Sequence, residues 1–182
     1  VNFSSVKGEV HPRLRQQMNL LPEEDCSFTA TGVPIVMHPH NPNVPIIHMN
    51  VRYFELSNGT CWFGGGIDLT PHYVVEEDAK AFHQTLKAAC DRHHPNFYPN
   101  LKTWADEYFY IPHRNETRGI GGIFFDYLKP NEAGNGENLS KEALFAFLKS
   151  VGESFAPIYT GLMHKYKDLP FTEEEKKWQF LR

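Results

Sequence analysis

Ile46-Ile47-His48-Met49-Asn50-Val51-Arg52-Tyr53-Phe54-Glu55-Leu56, then Ser57-Asn58-Gly59, then Thr60-Cys61-Trp62-Phe63-Gly64-Gly65-Gly66-Ile67-Asp68-Leu69-Thr70, is the stretch that decides the fold. Side chains alternate between the two faces of a strand, so residues two apart share a face. That period sets His48, Asn50 and Arg52 in one row and Met49, Val51 and Tyr53 in the other. An imidazole, an amide and a guanidinium in a row suit a ligand with carboxylates better than an apolar core. Asn58-Gly59 carries the signal of a tight hairpin, so the two strands are expected to pair directly. Three glycines before Asp68 remove side chains where another backbone or a ligand approaches closely. The hairpin reads as the floor of a site.

With 182 residues, 41% of them apolar and 14% aromatic, the chain is long enough to bury its own core. A net charge of −4 with scattered basic residues gives no electrostatic footprint for nucleic acid. No apolar run approaches the length of a membrane span. Cys26, Cys61 and Cys90 lack metal or redox spacing and read as reduced thiols, which points to a cytoplasmic setting. The chain opens without Met and ends in a helix-like run, so both ends are expected to be cut. Residues 1–182 are expected to form one domain.

Outward from the hairpin, residues 1–7 suggest a short strand and 9–24 a connecting loop. Residues 26–30 and 33–38 read as two short strands around Gly32. His38 to Pro45, with three prolines, is a stiff crossing. After Thr70 the period turns helical: Glu76-Glu77-Asp78 favours a first turn, and Ala79, Phe82, His83, Leu86 and Cys90 follow on one face. A second helix is expected over 101–110, a buried strand over 119–128 and a surface loop over 131–138. Ser140 is an expected N-cap of a long helix that Pro157 should kink or break. Thr172-Glu173-Glu174-Glu175 has the capping-box pattern of a last helix.

His38, His48, His83 and His113 either converge as ligands or proton donors, or are hydrogen-bonded separately; their spacings match no compact metal motif. Arg52 fits bidentate capture of an anion. Asp68, after its glycines, reads as aimed at a ligand rather than as a turn cap. The segment from His113 to Arg118 is either a solvated loop or, with its Gly-Ile-Gly-Gly continuation, a shaped turn near the sheet.

Six segments together resemble the oxygen-dependent coproporphyrinogen III oxidases in order and spacing. They are Val1–Val6, Met37–Pro45, His48–Phe54, Trp62–Pro71, Asp106–Phe109 and His113–Asp126. The resemblance implies an α+β fold, with a large flat antiparallel sheet covered by helices on both faces, and a homodimer. It implies oxidative decarboxylation of two propionates of coproporphyrinogen III to vinyls, giving protoporphyrinogen IX in haem synthesis. Dioxygen is the co-substrate and no organic cofactor is needed. His48 matches the proton donor of that family, and Asp68 an aspartate facing the pyrrole nitrogens. Asn50, Val51 and Arg52 match its substrate-binding segment. His38, His48, His83 and His113 match histidines assigned to a divalent metal in bacterial members. Pro34 stands where the family has a substrate-contacting serine, and the family's Gly-Gly-Arg loop lies beyond Arg182. A mitochondrial intermembrane location stays open beside the cytoplasmic one. So do two rival readings: a metal-dependent oxygenase for another substrate, and a non-catalytic tetrapyrrole-binding module.

Overall fold

The computed structural model describes residues 2–17, 26–134 and 136–181. The expected hairpin forms at its centre: β3 (Ile46–Leu56) runs antiparallel to β4 (Cys61–Thr70) across the turn at Ser57–Thr60, where Gly59 takes φ +88°. Strands β1 (Ser4–Glu9) and β2 (Ser27–Met37) extend the sheet on one side and β7 (Gly122–Leu128) on the other, in the order β1-β2-β3-β4-β7 with every pair antiparallel. The expected pair of strands around Gly32 is thus one strand of 11 residues. Gly32 is paired on both sides, to Ser4 and to Arg52, and two ladders hold straight a glycine that reads alone as a break. Helix α1 (Pro12–Gln17) replaces part of the expected loop, with Pro12 at a helix start where its missing N–H costs nothing. The rest of that loop, 18–24, lies outside the described residues.

One sheet face is apolar. Ile47, Met49, Phe63, Ile67, Leu69, Ile123 and Phe125 pack there beneath α2 (Glu76–Asp91) and α4 (Lys141–Tyr166), which also pack on each other. Helix α3 (Phe97–Tyr108) begins four residues earlier than expected, because Pro99 falls in its first turn, where proline is tolerated. It lies along β7 and reaches round to the opposite face, stacking Tyr108 on Phe124 with ring centroids 3.9 Å apart. The fold is α+β, as expected; among the described residues α2 and α4 cover the apolar face, while the opposite face meets the end of α3 and is otherwise open at a cavity.

Pro157 does not break α4. The helix is pinned on both sides of it by buried Val151, Phe155, Tyr159 and Leu162, so tertiary packing outweighs one lost backbone bond. The expected strand over 119–128 begins only at Gly122, because Gly119 and Gly121 take φ +58° and +72°. A small ribbon of β5 (Tyr110–Ile111) and β6 (Glu116–Thr117) precedes that turn. The last helix, α5 (Glu173–Leu181), has its capping box formed: Thr172 Oγ1 accepts from Glu175 N at 3.2 Å, and Glu175 Oε2 accepts from Thr172 N at 2.6 Å.

The proline-rich crossing is held by buried Asn41. Its amide nitrogen donates towards the carbonyls of Tyr166, Lys167 and Leu169 at 2.8–3.3 Å, at and just past the α4 C-terminus. Its Oδ1 accepts from Asn43 N at 3.0 Å. Removing this side chain takes away the donor that ties the crossing to the end of α4, so Asn41→Ala is expected to cost about 0.5–1.5 kcal/mol of stability by urea denaturation. A loss below the error of that measurement contradicts the locking role.

Candidate active site

The second sheet face carries the row read from β3. His48 faces Asp68 across the ladder, Asn50 faces Gly66 and Arg52 faces Gly64. Asp68 is only 3% exposed, and that burial dictates its partners, since a desolvated carboxylate must be paired. His48 Nδ1 donates to Asp68 Oδ2 at 3.1 Å. Arg118 grips the same carboxylate in a fork, Nε to Oδ2 at 3.1 Å and NH2 to Oδ1 at 2.8 Å. The acceptor-only carboxylate fixes the His48 tautomer, with Nδ1 protonated and Nε2 left for chemistry. The guanidinium of Arg118 also lies 4.0 Å from the Phe109 ring centroid, a cation–π contact that holds it flat.

Sequence reasoning left Arg118 between a solvated loop and a shaped turn, and the turn is what forms. Ile120 N donates to Leu69 O and Leu69 N to Gly121 O, stapling the Gly119–Gly121 turn to β4 beside Asp68. A side chain at Gly119 would stand 2.2 Å from Leu69 O, so only glycine allows this approach. The Gly-Ile-Gly-Gly continuation was the available signal.

Arg52 NH2 donates to Asp126 Oδ2 at 2.7 Å. The glycines before Asp68 serve neighbouring protein groups directly: Cβ atoms at Gly65 and Gly66 would meet Asn50 O at 2.4 Å and Ile123 O at 2.7 Å. Asn50 Oδ1 is buried and has no hydrogen-bond partner among the described residues. The Val51 side chain points to the other face and packs against the core, so it offers no side chain to a ligand beside Asn50 and Arg52. Pro34 pairs with Asn50 and shares its face. A cavity of about 290 Å³ is lined by Pro34, His48, Asn50, Arg52, Asp68 and Arg118. A larger one of about 1150 Å³ shares His48 and Arg118 and continues past His38 and His40 to Lys176 and Lys177 of α5.

The four histidines are not brought together. His38 lies edge-on to His48, with ring centroids 5.7 Å apart. His83 is engaged at both nitrogens: Nε2 donates to Ile120 O at 2.9 Å and Tyr98 OH donates to Nδ1 at 3.1 Å. His113 sits exposed in the turn between β5 and β6. Among the described residues no group of three or more His, Cys, Asp or Glu side chains is placed to hold an ion. The donor set does not fit the expected divalent metal, because His83 has no lone pair to spare. Its position on the inward helix face, by contrast, is as expected.

The protein-family profile described as Coproporphyrinogen III oxidase matches residues 1–182. The chain belongs to this family. It is 47% identical over 192 residues to the Drosophila melanogaster protein named oxygen-dependent coproporphyrinogen-III oxidase, covering 100% of this chain and 47% of that one. It is 46% identical to the human protein of that name, designated mitochondrial, and covers 40% of it. It is 42% identical to the Glycine max protein, designated chloroplastic, and covers 48% of it. The chain thus spans about half the length of these curated coproporphyrinogen oxidases.

Within this family member His83 acts as a clamp on the turn that carries Arg118. Burial pulls its pKa below the ordinary imidazole value, partly offset by its bond to the Ile120 carbonyl. A lowered folded pKa makes the stabilisation complete above the unfolded value of about 6.5 and lost as pH falls through the lower folded value. The Tm difference between the parent and His83→Gln is therefore expected to be largest above neutral pH and to shrink on acidification. A difference independent of pH contradicts the neutral clamp.

Proposed function

We propose that the complete protein converts coproporphyrinogen III to protoporphyrinogen IX, consuming dioxygen and releasing carbon dioxide and hydrogen peroxide. The observation that carries this reading is the buried Asp68 carboxylate, which orients His48 on the face that also presents Arg52 and Asn50. That face lies in a chain matching the family from end to end.

Each group has a physical task. Arg52 has five N–H donors and spends one on Asp126, so the rest of its fork can grip a propionate. The unpartnered Asn50 Oδ1 is an acceptor suited to a pyrrole N–H of the macrocycle. His48 handles a proton through Nε2, and Asp68 stabilises the imidazolium that forms, as a general acid–base pair requires. Both Asp68 oxygens already hold protein donors. Its influence on the ring nitrogens is therefore electrostatic and passes through His48. An electron-rich porphyrinogen reacts with dioxygen itself, so the protein's share is orientation and charge. A metal-dependent oxygenase for another substrate is disfavoured by the engaged nitrogens of His83.

A homodimer is supported by β1, an outer strand whose Val6 is half-exposed, and light scattering of the complete protein tests it. No helix among the described residues is long and apolar enough to cross a membrane. A cytoplasmic location draws support from three free, buried cysteines, while the organelle names of the human and Glycine max relatives favour the alternative. Imaging of the tagged complete protein decides between them.

The activity is tested by assaying vinyl product from coproporphyrinogen III with the complete protein. Arg52→Ala is expected to lower kcat/KM by about 10- to 100-fold, the worth of a charge-assisted contact. Tight binding without product supports the non-catalytic module instead. An unchanged kcat/KM in folded Arg52→Ala removes Arg52 from the site.

A further inference from the structure

Asp126 has no task in the reading above, yet several features of the chain converge on it. It lies where the β4–β7 ladder slips register, between the pairs Phe63–Leu128 and Gly65–Phe125. Such an irregularity re-aims side chains. The next residue, Tyr127, takes φ +49°, a left-handed conformation uncommon for a residue other than glycine. Stacking on Trp62, with centroids 5.1 Å apart, holds it there. Tyr127 N then donates to Asp126 Oδ1 at 2.9 Å, which leaves Oδ2 for Arg52 at 2.7 Å.

The pair lies over the bare backbone of Gly64. A Cβ at that position would stand 2.5 Å from Arg52 Nε and 2.6 Å from Asp126 Oδ1. A glycine, a register slip and a left-handed tyrosine coincide where one carboxylate is set beside one guanidinium. The pair is also half-open, with side chains 42% and 23% exposed, so a bare attraction between the charges is worth little. What the arrangement supplies is orientation: a long, flexible side chain fixed flat with one edge occupied and the other free.

We infer that Asp126 is a positioning residue that holds the Arg52 guanidinium against the sheet so that its free edge receives a carboxylate in one register. This rests on the reading of Arg52 as the propionate partner. The competing role for Asp126 is a rival anion that the ligand must displace. The two roles differ in sign, because removing a rival tightens anion binding and removing a positioner weakens it.

Fluorescence titration of the complete protein with the tetracarboxylate coproporphyrin III separates them, using Arg52→Ala, Asp126→Asn, Asp126→Ala and the Arg52→Ala/Asp126→Ala double variant. The expected Kd rises about fivefold in Asp126→Ala. It rises less in Asp126→Asn, whose amide oxygen can still accept from Arg52. The double variant binds no more weakly than Arg52→Ala alone, since Asp126 acts only through that side chain. If Asp126→Ala does not fold, Asp126→Asn decides by the same sign. Binding at parent strength or tighter in the Asp126 variants, or additive losses in the double variant, overturns the inference. Parent-like binding by Arg52→Ala overturns the propionate reading itself and the inference with it.

Discussion

A carboxylate removed from water is the constraint on which the site depends. Asp68 is nearly inaccessible, and an ion in that position is tolerated only when its oxygens are met by good donors. Three bonds meet them, one from His48 and two from Arg118. Each donor depends on a different piece of the fold. His48 arrives by the register of the β3–β4 hairpin, where it stands directly opposite Asp68. Arg118 arrives because the β5–β6 ribbon and the glycine turn carry the chain back to β4. A one-residue slip of the hairpin would send every side chain of β3 to the other face and dissolve the arrangement.

The other face makes that slip costly. Ile47, Met49, Phe63, Ile67 and Leu69 lie under α2 and α4, so the alternation that fills the core also puts the polar row in the open. Core and site are two readings of the same strands. The crossing segment works in the same sense, since Asn41 ties the entry to β3 onto the end of α4, and Tyr159 OH donates to Pro45 O at 3.2 Å.

The hairpin, its polar row and the inward face of α2 were legible in the sequence because period and turn chemistry are local. The single strand through Gly32 and the unbroken α4 were not, since each is decided by neighbours far along the chain. Asp68 could be picked out after its glycines, but its partners could not. Arg118 is 50 residues away from it, and Asp126 is 74 residues from Arg52. His83 shows the same limit: helical spacing turns it inward, yet only the fold reveals Tyr98 and Ile120 at its two nitrogens. The family resemblance named His48, Asn50 and Arg52 for the face they occupy. It also grouped four histidines, of which the fold sets His38 edge-on to His48 but engages both nitrogens of His83 and leaves His113 exposed.

Asp68 sets the state of His48, and nitrogen-15 NMR of the His48 ring in the complete protein tests this most directly. The neutral ring is expected to carry its proton on Nδ1, with that single tautomer lost in Asp68→Asn. A ring protonated on Nε2 in the parent, or a tautomer unmoved by Asp68→Asn, would contradict it.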